Sequence, residues 1–147
     1  MAAAGESAIA GRIPGERIAT QIDTADTATF TTVETVVSTV TAALVSGRTY
    51  RVRSVVTYQS DVADDHLNAR LREDSVSGTQ MTGKRVRSTL TTGGFGFDGC
   101  LEAEYTAVST GNKTFVATGV RSTGTGNWTG EGLSVQPRYL YVDYIRG

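Results

Sequence analysis

Cysteine and histidine are almost absent from the sequence, which has only Cys100 and His66 in 147 residues. One cysteine cannot form an internal disulfide, and we expect Cys100 to be a small buried side chain rather than a nucleophile. A catalytic triad would have to use His66, which lies in an acidic loop near no recognisable nucleophile motif. We therefore expect a protein that is not an enzyme and that needs no cofactor.

An excess of either charge is also absent, since 14 Lys and Arg residues oppose 15 Asp and Glu residues. Proteins that bind nucleic acid usually have a basic excess or a clear basic patch. No apolar run approaches the roughly 20 residues that cross a bilayer, and the first residues do not resemble a signal peptide. We expect neither nucleic acid nor a membrane among the partners.

Proline is scarce, with 2 residues, whereas glycine occurs 17 times and threonine is the commonest residue. Threonine and valine favour strands and glycine favours turns, so this composition predicts an all-β protein. In the segment from Tyr50 to Tyr58, apolar side chains alternate with Arg51 and Arg53, which predicts a buried face and an exposed face. A short strand is also predicted over Ala28–Thr32.

The last predicted strand covers residues 139–145, and most side chains on both of its faces are apolar or aromatic. One face carries Leu140, Val142 and Tyr144, and the other carries Tyr139, Tyr141, Asp143 and Ile145. Such a strand is usually central in its sheet and covered on both sides. The whole chain has patterns for about eight to ten short strands, with no alternation of strands and helices. These patterns predict an antiparallel β-sandwich of the jelly-roll type over residues 18–147.

Residues 1–17 differ from the rest because they are small, turn-prone and without periodicity. They are interpreted either as a disordered tail or as an extended N-terminal arm that becomes ordered against a partner. The apolar anchors of such an arm would be Ile9, Ile13 and Ile18, and its polar clamps would be Arg12 and Arg17.

Two groups of acidic residues are candidate sites of chemistry. The first is the loop that contains Asp61, Asp64, Asp65 and His66, whose spacing does not match a calcium loop. The second is Glu102 and Glu104, which share an outward face of one strand. Paired carboxylates can hydrolyse glycosides, but beside an arginine-rich strand they are more simply cross-strand ion-pair partners. We therefore expect neither a metal site nor a catalytic site in these groups.

Trp128 and Asn127 lie in a loop rich in glycine and threonine. An exposed tryptophan can stack on the apolar face of a sugar, and a neighbouring amide can bind its hydroxyl groups. The alternative is that Trp128 packs on the edge of the sandwich or at a subunit contact, and this alternative is favoured.

Several stretches together form a familiar pattern: Leu44–Arg53, Ala69–Thr79, Glu102–Ala107, Thr110–Phe115 and Pro137–Ile145. From about residue 18 to the end, the chain resembles small β-sandwich virion proteins of tailed phages of actinobacteria and of related prophages. It is more distantly similar to carbohydrate-binding jelly rolls, in which an acid of the last strand often supports a structural calcium. Only Asp143 matches that acid, so the likeness implies it as a weak metal candidate.

The first resemblance implies a non-enzymatic virion protein that is assembled in the host cytoplasm. We expect a capsid decoration or cement protein, a homotrimer whose arm contacts the major capsid protein or another virion protein. The alternative is a tail-tip or head-fibre adhesin that binds a host-surface glycan through Trp128 and Asn127.

Overall fold

The structure, a computed structural model, describes residues 13–88 and 97–147, with Phe97 and Asp98 described by their backbone only. The predictions for Ile9 and Arg12 lie outside the described residues. Within the described residues no helix is long and apolar enough to cross a membrane.

The described residues form eleven β-strands and no α-helix. The strands are β1 (Arg17–Asp23), β2 (Thr35–Leu44), β3 (Thr49–Val55), β4 (Thr57–Ser60), β5 (His66–Glu73), β6 (Gln80–Arg87), β7 (Phe97–Asp98), β8 (Leu101–Thr106), β9 (Gly111–Thr123), β10 (Trp128–Glu131) and β11 (Arg138–Arg146). Most of them coincide with alternating patterns in the sequence.

Two four-stranded antiparallel sheets pack face to face. The first sheet has the order β1-β11-β3-β8 and the second has the order β2-β9-β5-β6. A small sheet, β10-β4-β7, extends the sandwich at one end, since β4 follows β3 after a break at Val56. This strand order is that of a jelly roll, and the predicted all-β sandwich is confirmed.

The core lies between the two sheets. Its fully buried members come from both sheets and include Val52, Leu67, Leu71, Phe115, Leu140 and Val142. Alternation along each strand places these apolar side chains inward and the polar ones outward. A core of this kind fixes the register of each strand, because a one-residue slip would expose a whole apolar face.

β11 lies between β1 and β3, so its predicted central position is confirmed. Leu140, Val142 and Tyr144 are buried, as the period of two requires. The prediction that both faces are covered is wrong, because Tyr139 and Tyr141 on the other face are only half-buried. No further layer of the described residues packs over that face, since the second sheet covers the inner face alone.

Two local predictions are also wrong. Ala28–Thr32 is not a strand, because its one β-bridge is at Phe30, through two backbone hydrogen bonds of 2.8 and 2.9 Å with Trp128. Cys100 is exposed rather than buried. It precedes Leu101, whose side chain takes the inward position, so alternation turns Cys100 away from the core.

Candidate functional site

The outer face of the first sheet is a regular surface that no other described strand covers. Cross-strand pairs arrange it in three rows: a charged row of Arg17, Asp143, Arg51 and Glu104, a mixed row of Thr20, Tyr141, Arg53 and Glu102, and an apolar row of Ile22, Tyr139 and Val55. We call this surface the outer face and its third row the apolar row.

The charges of the outer face are paired with one another. Glu102 accepts Arg51 at 3.3 Å and Arg53 at 3.8 Å, so its predicted role as a cross-strand ion-pair partner is confirmed. Glu104 forms its pair with Arg146 at 2.9 Å. These exposed pairs add little to stability, but they give the surface a fixed pattern of charge.

The Arg17 side chain contacts two residues of the neighbouring strand β11. Its Nε donates to Asp143 Oδ1 at 2.9 Å, and its guanidinium lies 3.7 Å from the centre of the Tyr141 ring. The Asp143 carboxylate therefore already has a cationic partner. The described residues contain no group of three or more His, Cys, Asp or Glu side chains that could hold a metal ion.

The chain enters β1 from a turn at residues 13–16. The N–H of Gly15 donates to the carbonyl of Tyr144 at 2.7 Å, so backbone pairing with β11 already begins within the segment assigned to the arm. Ile13 lies just before this pairing and is 73% exposed. Of the described arm residues, Ile13 is therefore available to a partner, whereas Arg17 is engaged.

Trp128 does not present its ring to solvent. It is 0% exposed and belongs to the core cluster, because its position in β10 points inward. The interpretation of Trp128 as a stacking platform is therefore wrong. The favoured alternative was packing on the edge of the sandwich or at a subunit contact, and the ring packs in the core cluster of the sandwich itself. A buried indole cannot stack on a sugar without unfolding the end of the sandwich.

Asn127, by contrast, borders a cavity of about 200 Å³ at the same end of the sandwich. The cavity is lined by Thr29, Gln59, Ser60, Asp61, Asn127 and Thr129, and we call it the end cavity. Asp61 accepts the Asn127 backbone N–H at 2.7 Å and its side-chain amide at 2.9 Å. Hydroxyl, amide and carboxylate groups of this kind match the hydroxyl groups of a sugar.

The acidic loop has a structural task. Asp65 is 2% exposed and accepts the backbone N–H groups of Thr125 at 3.1 Å and Gly126 at 2.6 Å. Asp61 holds Asn127 in the same way, so two carboxylates fasten the loop between β9 and β10. We call Asp61, Asp65 and residues 125–127 the loop clasp. The spacing of the acids in the sequence did not reveal this pairing, because the partners are remote along the chain.

A second polar cluster lies on the outer side of the second sheet. Glu34 accepts Arg70 at 2.6 Å, Arg72 at 2.7 Å and the Thr118 hydroxyl at 2.5 Å. Burial by itself would raise the pKa of Glu34. Hydrogen bonds from Arg72 and Thr118 and the charges of both arginines lower it by more than burial raises it, so the pKa lies below its ordinary value. In the sequence, this cluster was indicated only by the isolated acid Glu34 before β2 and by the alternating Arg70 and Arg72 of β5.

No protein-family model matches the chain, and no curated protein sequence matches it. Among solved structures it is similar to VP2 of the infectious bursal disease virus subviral particle, with 15% identity over 89% of this chain and 33% of that chain, and a TM-score of 0.47. The chain thus spans about a third of the length of VP2.

Carbohydrate-binding domains are also among the similar structures. A CBM4 structure has 10% identity over 76% of this chain and 69% of that chain, with a TM-score of 0.36. The N-terminal cellulose-binding domain of Cellulomonas fimi β-1,4-glucanase C has 14% identity over 74% and 68%, with a TM-score of 0.32. At these identities the likeness concerns the sandwich fold alone.

Proposed function

We propose that the protein is a non-enzymatic structural component of a virion, a capsid decoration or cement protein of a tailed phage. It would act as a homotrimer whose N-terminal arm binds the major capsid protein or another virion protein. The apolar row on the outer face is the observation that carries this proposal.

The apolar row is a surface that favours contact between proteins. Ile22 is 52% exposed and lies opposite Tyr139, which in turn lies opposite Val55. Each 100 Å² of apolar surface that a neighbouring copy removes from water contributes about 2.5 kcal/mol. The adjacent ion pairs would orient the partner, and many repeated copies on a shell would add to weak single contacts.

The arm supplies the second contact of the proposed role. Because Arg17 is engaged with Asp143 and Tyr141, the contacts to the shell would come from residues that precede Gly15, with Ile13 as the described anchor. An arm that becomes ordered only on binding loses entropy at that moment, so its affinity per unit of buried area is low. Multiple copies on a lattice would offset that loss.

Purified particles of the phage that encodes the chain provide the direct test. We expect mass spectrometry to find the protein in the particle in many copies. Particles made without its gene should release their genome at a lower temperature than complete particles. A particle that lacks the protein, or one whose heat stability does not depend on it, would contradict the proposed role.

The trimer is tested by light scattering on a sizing column. We expect the full chain to elute as a trimer and the double variant Ile22→Asp/Tyr139→Asp to elute as a monomer. Val108→Asp is the matched control, because Val108 is 85% exposed in the turn after β8, at the opposite end of the first sheet from Val55 and the apolar row. A full chain that is monomeric at every concentration would exclude the homotrimer.

Glycan binding is a second candidate function, and the end cavity is the observation that favours it. A tail-tip or head-fibre adhesin would bind a host-surface glycan through the polar groups of the cavity, with Asn127 as the predicted residue that lines it. The aromatic contribution expected from Trp128 is not part of this site.

A glycan array with the full chain tests this candidate. Any sugar that binds should lose affinity in Gln59→Ala/Thr129→Ala, because these two residues face each other across β4 and β10 at the cavity. Asn112→Ala is the control, an exposed position at the start of β9. Equal binding by all three proteins would place the sugar elsewhere, and no binding at all would remove the adhesin.

A further inference from the structure

A cavity of about 270 Å³ lies on the second sheet between β5 and β6, remote in the fold from the outer face of the first sheet. It is lined by Asn68, Ala69, Arg70, Gln80, Gly83, Lys84 and Arg85. Three of these residues are cationic and two carry amides, and none of the described residues that line the cavity carries a carboxylate. We call this cavity the basic groove.

Gly83 creates the space of the groove. It pairs with Arg70 across the two strands, and Asn68 pairs with Arg85 one step further along the same face. A Cβ atom at residue 83 would lie 3.1 Å from Gln80 Nε2 and 3.2 Å from the Ala69 carbonyl. A larger side chain there would therefore fill the groove. Because β6 is the edge of its sheet, the groove is open on one side.

The charge of the groove is only partly compensated. Arg70 is held by Glu34 at 2.6 Å, which fixes its side chain beside the groove. Arg85 donates to the neutral Thr123 hydroxyl at 3.3 Å. Within the described residues neither Lys84 nor Arg85 forms an ion pair. An anionic group that entered the groove would therefore meet two cations that form no ion pair with the described residues.

We propose that the basic groove binds a carboxylate-bearing sugar residue of an acidic polysaccharide. Charge-assisted hydrogen bonds from Arg85, which shares the face of Asn68 and Gly83, would hold the carboxylate. Lys84 pairs with the inward-facing Ala69 and would add its charge from the open edge of β6. The amides of Asn68 and Gln80 would bind hydroxyl groups. The volume lies near the lower limit of ligand sites, which suits a single sugar ring rather than a large ligand. This inference does not depend on the virion role or on the end cavity.

Nucleic acid fits the groove less well. Phosphate-backbone binding draws on a row of many cations, and this groove offers three in a chain whose net charge is -1. The combination of few cations and two amides instead matches one carboxylate with neighbouring hydroxyl groups.

Calorimetric titration of the full chain with trigalacturonate tests the proposal, with maltotriose as the neutral sugar. We expect saturable binding of trigalacturonate alone. Lys84→Ala/Arg85→Ala should weaken it about tenfold or more, which is the loss expected for one or two charge-assisted hydrogen bonds. Arg51→Ala/Arg53→Ala removes the same charge from the first sheet and should bind as the unmodified chain does.

A second variant separates shape from charge. Gly83→Gln keeps every charge but fills the groove, and it should also abolish binding, while circular dichroism confirms that it is folded. Equal losses in the two double variants would mean unspecific attraction and would overturn the proposal. The absence of binding, or unchanged binding in Gly83→Gln, would also overturn it. So would inorganic sulfate that displaces trigalacturonate at equal concentration, or single-stranded DNA that binds more tightly than trigalacturonate.

Discussion

The Glu34 carboxylate is the point where the polar contacts of the second sheet meet. It joins Arg70, Arg72 and Thr118, and Thr118 is fully buried beneath it. Taking such a carboxylate out of water is costly, and the three partners offset that cost only when all are present. The cluster therefore holds residue 34, which precedes β2, against β5 and β9.

Glu34→Gln is expected to lower the free energy of unfolding by about 2 kcal/mol at neutral pH, because the two arginines lose their charged partner. The pKa of Glu34 lies below its ordinary value of 4.5, so its contribution is present above pH 4.5 and is lost as the pH falls through the folded-state pKa. Urea unfolding between pH 3 and pH 7 measures both effects. In Glu34→Gln the acid-induced loss should be smaller, whereas the exposed control Glu104→Gln should keep the full loss.

The loop clasp makes a separate prediction. Asp65→Ala should destabilise the fold by about 3 kcal/mol, because two backbone N–H groups lose the buried carboxylate that they bind. Asp61→Ala is the matched control, since Asp61 accepts comparable bonds at an exposed position and its donors can turn to water. Thermal unfolding compares the two. A similar cost for both variants would show that burial of Asp65 is not what makes it important.

At the scale of the elements, side-chain alternation was enough to place most strands. β8 and β11 have a strict period of two, as does β3 from Tyr50 onward, and their buried residues match the predicted faces. The pattern failed over Ala28–Thr32, although its composition is typical of a strand. In this stretch Phe30 is the one buried residue and the one residue that forms a β-bridge. Strand propensity describes a residue's fit to a half-buried sheet, and without a neighbouring strand it does not create one.

Two glycines in turns provide a matched test of turn geometry. Gly47 and Gly124 both have positive φ, of 80° and 98°. Gly47→Ala meets open space and should cost about 1 kcal/mol, the strain of the backbone alone. Gly124→Ala would also collide with the Asp65 carboxylate, so we expect a cost of about 3 kcal/mol.

A double-mutant cycle identifies the source of that difference. In the Asp65→Ala background, the additional cost of Gly124→Ala over Gly47→Ala should disappear, because the colliding carboxylate is gone. Chemical denaturation of the unmodified chain, of Asp65→Ala and of each glycine variant in both backgrounds gives the coupling energy. If Gly124→Ala remains more costly in the absence of Asp65, the collision is not the cause.

At the scale of the whole molecule, most strands that pair are remote in sequence, with β5 and β6 as an exception. β1 pairs with β11, and β2 pairs with β9, so neither sheet can close until most of the chain is in place. Long loops must lose entropy before these pairings contribute stability, and proteins of this topology fold slowly. The central strand β11 lies between β1 and β3, so the first sheet cannot form without this last described strand.

Trp128 offers a direct probe of this closure. It is the sole tryptophan and is 0% exposed, so its fluorescence should resist quenching by acrylamide in the folded protein and become quenchable on unfolding. Stopped-flow refolding followed by this signal should take about milliseconds to seconds. Microsecond folding, or a tryptophan that is quenched in the native protein, would contradict the described topology around β10.

The sequence by itself determined the fold class, the main strands and their inward faces, because side-chain direction in a strand depends only on local alternation. It also indicated that Glu102 would pair with arginines of a neighbouring strand. Only the tertiary structure decided which remote residues meet. Glu34 lies 36 residues from Arg70 and 84 from Thr118, and Asp65 lies 61 from Gly126.

The same reason explains the residues that the sequence misplaced. The surface platform at Trp128, which was the less favoured interpretation, and the core position of Cys100 are both wrong, since the structure buries Trp128 and exposes Cys100. Trp128 is the first residue of β10, and Cys100 directly precedes β8. At such a position the composition of the loop does not reveal which face of the sheet the side chain points to. That direction is set by the register with the neighbouring strand, and register is a property of the assembled sheet.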